Sequence, residues 1–322
     1  MHLPFENLGP ETILSALESV GFEPNGSLLA LNSYENRVYQ AQTETLEFYV
    51  AKFYRPERWT YEAIEEEHDF SYELLDSEIS VVAPIRIDGS TIFEYAGYYF
   101  AIFPRQGGHP PNLENEEDLE VLSRSIARIH AIGSKKLFKH RQEFSVARLG
   151  TASRAFILGS DFLPPELVES YASTTQILLD SIDPVKIENE QTRIHGDCHM
   201  GNVLWRNDIS HFVDFDDCLN GPPIQDLWML LSGERQDQLA QINTIIDAYN
   251  EFYEFNSSTL ATIESLRTLR MIHHAAWIAK RWNDPAFPLA FPFFDSAKYW
   301  SDHILTLKEQ ESKLLDEPLF YL

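Results

Sequence analysis

The sequence has only two cysteines among 322 residues, and it has no apolar run of about 18 residues, the length that a membrane-spanning helix requires. Two cysteines do not imply a disulfide framework. The opening residues, MHLPFENLGPETIL, lack the basic segment and the continuous apolar core of a signal peptide. These absences predict a cytoplasmic protein that does not associate with membranes.

Basic residues are also scarce, because 25 lysines and arginines stand against 50 aspartates and glutamates and give a formal net charge of -25 at pH 7. Such a charge opposes binding to phosphate backbones and to anionic membranes. Nucleic acid is therefore not an expected partner. An anionic substrate would need a local cluster of cations or metal ions.

The residues that are present are typical of a globular protein, with 44% hydrophobic and 13% aromatic residues. Alternating aromatic and β-branched residues predict strands between residues 28 and 54. A helix that opens at Thr60 is expected next, and then two more strands at 81–87 and 97–104 around the turn DGS. The first third of the chain is therefore expected to be rich in strands.

Helices are expected in most of the remaining chain. A short amphipathic helix is predicted at residues 10–20, before the strands. After the stretch PRQGGHPPN, segment 116–133 carries regularly spaced apolar residues on one face. Later helices are expected within 223–254 and 258–282. A small strand-rich part therefore precedes a larger helical part.

Three polar side chains follow short apolar stretches in the segments RIHGDCHMGNVLW and HFVDFDD. Asp197, Asn202 and Asp214 are predicted at the ends of adjacent short strands, where they would converge. Phosphoryl transfer requires a carboxylate for the proton of the attacking hydroxyl, together with an amide and a second carboxylate that hold Mg²⁺ against nucleotide phosphates. HGD alone could be a simple turn, but the full combination rarely arises by chance. We therefore predict Asp197 and Asp214 as catalytic residues, and Asn202 and Asp214 as Mg²⁺ ligands.

The motifs HGDCHMGNVLW and FVDFDD resemble the catalytic and metal-binding loops of the aminoglycoside phosphotransferase and choline kinase-like group, which shares the protein kinase fold. LNSYENRVYQ, AKFYRPERW, HGDCHMGN and NGPPIQDLWMLL are similar, in that order, to the bacterial stress response kinase A family. The resemblance implies an α+β, bilobal fold within one kinase domain. An antiparallel-sheet lobe at residues 1–105 would bind the nucleotide, and a mainly helical lobe at 106–322 would hold the catalytic and acceptor sites.

Lys52 is expected to need an anionic partner. The alternation in EFYVAKFY places it on one face with Val50 and Tyr54, so its cation lies among apolar side chains. On a helical wheel of about 100° per residue, Glu67 falls within the apolar arc of the following helix. We predict that Glu67 pairs with Lys52, which would hold the α- and β-phosphates of ATP. The alternative is a solvated acidic face for the whole run 65–67.

The segment LNSYENRVY stands where kinases carry a glycine-rich phosphate loop, yet residues 29–40 contain no glycine. The resemblance implies that Ser33 and the backbone N–H groups of this turn bind phosphate. The alternative is a plain hairpin turn with a solvated serine.

In the joining segment YYFAIFPRQGG, adenine could pair with backbone groups near Phe103 to Arg105, although the aromatic side chains there suit a buried strand better.

Several other residues have two interpretations. The resemblance makes Asp226 a buried carboxylate that anchors the catalytic loop, whereas a first-turn aspartate would only favour the helix dipole. His195 is expected to pack beneath that loop. Cys198 and Cys218 are either small buried residues or a site of reversible oxidation. The basic run at 135–141 is expected to solvate a helix end, and the alternative is that it receives an acidic partner.

The predicted function is that of an ATP- and Mg²⁺-dependent kinase that phosphorylates Ser/Thr hydroxyls of proteins. The resemblance implies a role in the stress response. Its expected partners are ATP and protein substrates, and it is expected to be a monomer. A small hydroxylated metabolite or antibiotic is an alternative acceptor, because the motifs alone do not decide the substrate. A non-catalytic nucleotide-binding module is disfavoured by the intact set Lys52, Asp197, Asn202 and Asp214.

Overall fold

The computed structural model describes residues 3–322, which form an N-terminal lobe built on a sheet and a larger helical lobe. The sheet has five antiparallel strands in the order β1-β2-β3-β5-β4. Its strands are β1 (Pro24–Ala30), β2 (Arg37–Thr43), β3 (Phe48–Phe53), β4 (Phe93–Tyr95) and β5 (Tyr98–Pro104), and its helices are α1 (Pro10–Ser19) and α2 (Tyr61–Asp76). The α+β, two-lobed architecture predicted from the sequence is confirmed.

The central strand β3 faces a different helix on each side of the sheet. Ala51 and Phe53 pack in the apolar cluster that contains α1 residues, whereas Tyr54, just after β3, packs with Ile64 of α2. Period-2 alternation therefore places Lys52 on the α2 side. The Thr60 side chain accepts a hydrogen bond from the Ala63 N–H at 3.2 Å, which confirms Thr60 as the N-cap of α2.

The prediction of a strand at residues 81–87 is wrong. Only isolated bridges occur there, and the Val82 N–H binds the Phe212 carbonyl of the other lobe at 2.9 Å. Pro84 has no N–H group with which to pair in a sheet. The partner of β5 is instead β4, and the two strands are joined at Ala96 and Gly97, which both have positive φ.

Helices dominate the second lobe, and helices are present in each of the predicted segments 116–133, 223–254 and 258–282, although others lie outside these segments. Its helices are α3 (Glu116–Gly133), α4 (Ala152–Leu158), α5 (Val168–Asp180), α6 (Pro184–Glu188), α7 (Ile224–Trp228), α8 (Arg235–Tyr249), α9 (Ile263–Lys280), α10 (Ala286–Ala290) and α11 (Ala297–Lys313). The predicted apolar face of α3 is buried at Leu119, Leu122, Ile126 and Ile129. Among the helices of residues 3–322, none has the length and apolar character needed to cross a bilayer.

Four short strands lie in the second lobe next to α3. They are β6 (Thr192–Ile194), β7 (Val203–Arg206), β8 (Ile209–Phe212) and β9 (Leu219–Gly221), which pair as β6-β9 and β7-β8. A Cβ atom at Gly133 would lie 2.1 Å from the Arg193 carbonyl oxygen, so only glycine permits this approach of α3 to β6. The loops between these strands carry the polar residues that the sequence singles out.

Candidate active site

The three polar residues predicted to converge do so at the border of the two lobes. Asp197 follows β6, Asn202 directly precedes β7 and Asp214 follows β8. The Val213 N–H donates to the Asn202 carbonyl at 3.0 Å, which ties two of these loops together. Gly196 has a φ of 84°, and a Cβ atom there would lie 2.3 Å from the Asp217 carbonyl oxygen, so only glycine permits this close approach.

Asn202 and Asp214 present oxygen atoms that suit a magnesium ion. Asn202 donates from Nδ2 to the Asp197 carbonyl at 2.9 Å, which leaves its Oδ1 as the atom available to a cation. Asp214 has left-handed backbone angles, φ 60° and ψ 61°, and its carboxylate is half exposed. Mg²⁺ prefers one or two protein oxygens together with phosphate and water oxygens. The donor set of these two residues fits that requirement.

Both carboxylate oxygens of Asp197 have basic neighbours. Arg270 Nη1 lies 2.9 Å from Oδ1, and His199 Nε2 lies 3.4 Å from Oδ2. Burial acts to raise the pKa of Asp197, but the hydrogen bonds and positive charges of His199 and Arg270 outweigh burial and hold the pKa well below its ordinary value. The group is therefore ionised and held in one orientation.

The predicted pairing of Lys52 with Glu67 is present in the structure. Lys52 Nζ lies 3.2 Å from Glu67 Oε1, 3.1 Å from Asp214 Oδ1 and 3.2 Å from Asp216 Oδ1. Burial acts to lower the pKa of Lys52, but these carboxylates raise it well above its ordinary value. The lysine thus links the sheet, α2 and the loop after β8.

Arg141 corrects the expectation that the basic run 135–141 only solvates a helix end. Its side chain is fully buried, and its Nη1 lies 3.6 Å from Glu67 Oε2. It donates to the carbonyls of Ala63 at 3.2 Å and Cys218 at 2.9 Å, and also to the Asp216 carbonyl. Arg141 therefore holds α2 against the catalytic loops.

Sequence reasoning also missed Arg58, which pairs with both aspartates after Asp214. It contacts the Asp216 carboxylate and lies 2.5 Å from Asp217 Oδ1. Asp216 is buried, which excludes a merely solvated side chain there. The three carboxylates of DFDD could have indicated that a cationic partner such as Arg58 was needed, because buried carboxylates require cationic partners.

The turn 31–36 lies over an interlobe cavity of about 280 Å³ and contributes Leu31, Asn32 and Ser33 to its lining. The Ser33 hydroxyl donates to the Asn36 carbonyl at 3.1 Å, so it would have to rotate in order to donate to phosphate. Within residues 3–322, the backbone N–H groups of residues 32–36 find no acceptor. These N–H groups could donate to an anion.

The same cavity is largely apolar away from Lys52. Val38, Val50, Phe103 and Leu204 line it, so the predicted hinge residue Phe103 faces the space that an adenine would need. Arg105 is exposed, and its guanidinium lies 5.2 Å from the centre of the Phe48 ring. Its side chain therefore makes contact on the outer surface of the sheet.

The anchoring role predicted for Asp226 is confirmed. Its buried carboxylate accepts hydrogen bonds from the His195 N–H at 2.8 Å and from the Gly196 N–H at 2.9 Å. His130 Nε2 lies 3.0 Å from the same group. His195 in turn contacts the Val213 carbonyl through Nε2 at 2.9 Å. Asp226 and His195 thus brace the loop that carries Asp197 from beneath.

Both cysteine thiols are buried in this region. Cys198 and Cys218 have no exposed surface. Burial raises the pKa of Cys198 well above its ordinary value, with further increases from Asp226 and Asp197. Burial also raises the pKa of Cys218 to about 12. These environments suit small buried residues and disfavour thiolate chemistry.

Comparison with known proteins agrees with this geometry. The model of the phosphotransferase enzyme family matches residues 27–262. Stress response kinase A of Escherichia coli O157:H7 is 42% identical over 315 residues, which cover 98% of this chain and 95% of that protein. The serine/threonine protein kinase RdoA of Salmonella typhimurium (strain LT2) has the same identity and coverage.

Solved structures share the fold at lower identity. An amicoumacin kinase in complex with AMP-PNP and Ca²⁺ superposes with a TM-score of 0.70 at 18% identity, over 96% of this chain and 94% of that one. A microcompartment-associated aminopropanol kinase gives 0.69 at 16% identity, over 93% and 95%. The choline kinase LicA of Streptococcus pneumoniae gives 0.62 at 13% identity, over 94% and 98%. The bilobal kinase-like fold and the relatives together show that the chain belongs to the stress response kinase A family of phosphate-transferring enzymes.

Proposed function

We propose that this protein is an ATP- and Mg²⁺-dependent kinase that transfers the γ-phosphoryl group to Ser/Thr hydroxyls of proteins. The observation that carries the proposal is the meeting of Lys52, Asn202 and Asp214 at one interlobe cavity, with Asp197 beside it. The complex of amicoumacin kinase with AMP-PNP and Ca²⁺ supports a nucleotide and a divalent cation. The serine/threonine kinase name of RdoA supports a protein acceptor.

The nucleotide is proposed to bind mainly to the N-terminal lobe, residues 1–105. Its base would occupy the apolar part of the cavity near Phe103, and its phosphates would meet Lys52 and the free N–H groups of turn 32–36. Asn202 Oδ1 and Asp214 would hold Mg²⁺, which when bound neutralises charge on the phosphates. Lys52 already lies 3.1 Å from Asp214, so the chain itself brings the two phosphate-side groups together.

The acceptor is proposed to bind to the C-terminal lobe, residues 106–322. A second cavity of about 600 Å³ lies between that lobe and turn 32–36, and Asp197 is in its wall. The Asp197 carboxylate would accept the hydrogen bond of the acceptor hydroxyl and take its proton as the new O–P bond forms and the bond between the γ-phosphorus and the bridging oxygen breaks, which releases ADP. Asp226 keeps the loop in position through the His195 and Gly196 N–H groups, so Asp197 needs little rearrangement.

A small hydroxylated molecule is the second candidate acceptor. The observation in its favour is that the superposed structures include kinases named for amicoumacin, aminopropanol and choline. A protein acceptor is preferred because RdoA, at 42% identity over nearly the whole chain, is named a serine/threonine protein kinase. A role in the stress response is proposed from the names of the relatives.

The test is to incubate the purified protein with γ-labelled ATP and Mg²⁺ and to compare label on itself, on generic protein acceptors and on a panel of hydroxylated metabolites. Asp197→Asn should lower phosphoryl transfer by at least about 100-fold while ATP still binds, because the carboxylate serves the acceptor. The matched control is Asp208→Asn, an exposed aspartate in the turn between β7 and β8. Label on metabolites alone would overturn the protein acceptor, and Asp197→Asn activity within tenfold of wild type would remove Asp197 from the mechanism.

A further inference from the structure

The acceptor cavity has two walls of different chemical character. One wall is formed by the catalytic loops and turn 32–36, and it carries five carboxylates, at Glu35, Asp197, Asp214, Asp216 and Asp217. The second wall is formed by α9 and by the π-helical turn Ala147–Thr151, and it carries the arginines Arg148 and Arg270. Basic residues are scarce in this chain, so two arginines on one wall of the acceptor cavity are unexpected.

The carboxylates of the first wall already have cationic partners. Lys52 pairs with Asp214 and Asp216, and Arg58 pairs with Asp216 and Asp217. Glu35 lies 2.7 Å from Arg55 Nε and also contacts Arg281. Asp197 pairs with Arg270 at 2.9 Å. The acidic wall is therefore largely neutralised by the protein itself.

Arg148 differs from these paired groups. Its Nε donates to the Glu143 carbonyl at 3.2 Å, but within residues 3–322 no carboxylate lies at ion-pair distance from its guanidinium. The side chain is half buried, and burial lowers the pKa of Arg148, partly offset by the charge of Asp217. A partly desolvated guanidinium without a carboxylate partner favours binding of an anion.

Arg270 is the second cation of this wall, and its present partner is Asp197. The acceptor hydroxyl needs that same carboxylate, both oxygens of which already have basic neighbours. An anionic group on the acceptor would offer Arg270 another partner and release Asp197 for the hydroxyl. The side chain of Arg270 is 43% exposed, so it has room for this exchange.

Apolar side chains also line the cavity. Phe144, Leu149 and Leu266 line it together with Trp277 and Phe291. A cavity of about 600 Å³ that combines charged and apolar lining residues is large enough for a peptide segment longer than one residue. Cationic acceptors would meet the unpaired charge of Arg148, which disfavours them electrostatically.

We infer that Arg148 and Arg270 form an anion subsite that takes the carboxylate of an acidic residue flanking the acceptor Ser/Thr of a peptide. The inference rests on the proposed protein kinase function and specifies its substrate class. Arg148 binds the acidic side chain directly. Arg270 is a positioning residue that exchanges Asp197 for the carboxylate of the acceptor.

The test uses three serine peptides of one sequence that differ only in Glu, Gln or Lys at the positions flanking serine. Wild type should phosphorylate the Glu peptide with a kcat/KM at least about tenfold above that of the Lys peptide, which corresponds to about 1.4 kcal/mol. Arg148→Gln should remove most of this preference, and Arg148→Lys should restore part of it. Arg148→Glu should invert it, and Arg270→Gln should raise KM for the Glu peptide more than for the Gln peptide.

Arg124→Gln is the matched control, because Arg124 pairs with Glu120 and Glu251 and lines neither cavity. Its peptide preference should equal that of wild type. A wild type that phosphorylates all three peptides equally, or an Arg148→Gln variant that weakens all three equally, would overturn the anion subsite alone. Absence of label on every peptide and every protein acceptor would overturn the proposed protein kinase function and the subsite with it.

Discussion

Asp284 and Arg55 form an ion pair between the lobes, with Asp284 Oδ2 lying 2.6 Å from Arg55 Nη2. Asp284 follows α9 in the helical lobe, and Arg55 follows β3 in the sheet lobe. The other carboxylate oxygen lies 2.6 Å from Arg37 Nη2, directly after turn 31–36. The Asp284 side chain is only 1% exposed, so this pairing is shielded from water. It fixes turn 31–36, which lies over the interlobe cavity, relative to α9.

Asp284→Asn is expected to lower the free energy of unfolding by about 2–4 kcal/mol, because the change leaves Arg37 and Arg55 without this buried counter-charge. Urea unfolding followed by circular dichroism measures the loss. KM for ATP should rise as well, since the turn is no longer held to α9. Asp302→Asn is the control, because Asp302 pairs with Lys298 on the surface and its loss should change stability by less than about 0.5 kcal/mol. Equal losses in both variants would contradict a special role for Asp284.

Asp226→Asn is expected to lower kcat by at least tenfold while KM for ATP changes little. An amide NH₂ group in place of a carboxylate oxygen would face the N–H of His195 or Gly196, so one buried donor would lose its acceptor. The loop that carries Asp197 would shift as a result. Steady-state kinetics with varied ATP separates the two constants. Asp180→Asn, an exposed change at the end of α5, should match wild type, and an unaltered kcat in Asp226→Asn would contradict the anchoring role.

Local patterns in the sequence were sufficient to predict much of the site. The alternation of β3 placed Lys52 on one face, and the helical period of α2 placed Glu67 on the facing side, so their pairing followed from two short periodicities. The polar residues at the ends of β6 and β8 were predictable because short apolar strands end where loops begin. These features depend on neighbours within one element or between two successive ones.

Contacts between distant segments were not predictable in this way. Arg141 lies 75 residues before Asp216. Nothing in the basic run 135–141 indicates which of its cationic side chains is buried. Asp284 and Arg55 are separated by 229 residues. The segment 81–87 looked like a strand from its apolar composition, but the Val82 N–H donates to Phe212 of the other lobe, whereas the Ile85 N–H donates to Ile102 of β5. These contacts, and the conformation of segment 81–87, depend on tertiary packing, which overrides local secondary-structure preference.

The cysteines are expected to resist oxidation in the folded protein. Cys198 and Cys218 are fully buried and their thiol pKa values are raised, so little thiolate is present to react. Both thiols should react with a disulfide reagent only after unfolding, and peroxide should reduce the activity of wild type and of Cys198→Ala equally. Reductant-reversible loss of activity in wild type, with Cys198→Ala spared, would instead support oxidation as a switch.

His68 links the stability of the sheet lobe to pH. Its ring nitrogens lie 2.8 Å from the Tyr54 hydroxyl and 2.8 Å from the Thr91 hydroxyl, and the side chain is buried on α2. Burial, with smaller contributions from the charges of Lys52 and Arg141, lowers the pKa of His68 to about 3. In the unfolded chain its pKa is about 6.5, so the unfolded state binds more protons between these values. The neutral form therefore stabilises the fold fully above about pH 6.5, and this contribution is lost as the pH falls towards 3.

His68→Gln is expected to flatten this acid dependence. Wild type should lose about 1 kcal/mol of unfolding free energy per pH unit between pH 6 and pH 4 because of His68 alone, whereas the glutamine variant starts less stable and lacks that slope. Urea unfolding at pH 7, 6, 5 and 4 gives the two curves, and the difference between their slopes isolates His68 from the other titrating groups. His140→Gln, an exposed histidine in the loop after α3, should follow the wild-type curve. Parallel curves for wild type and His68→Gln would show that His68 does not stay neutral in the folded protein.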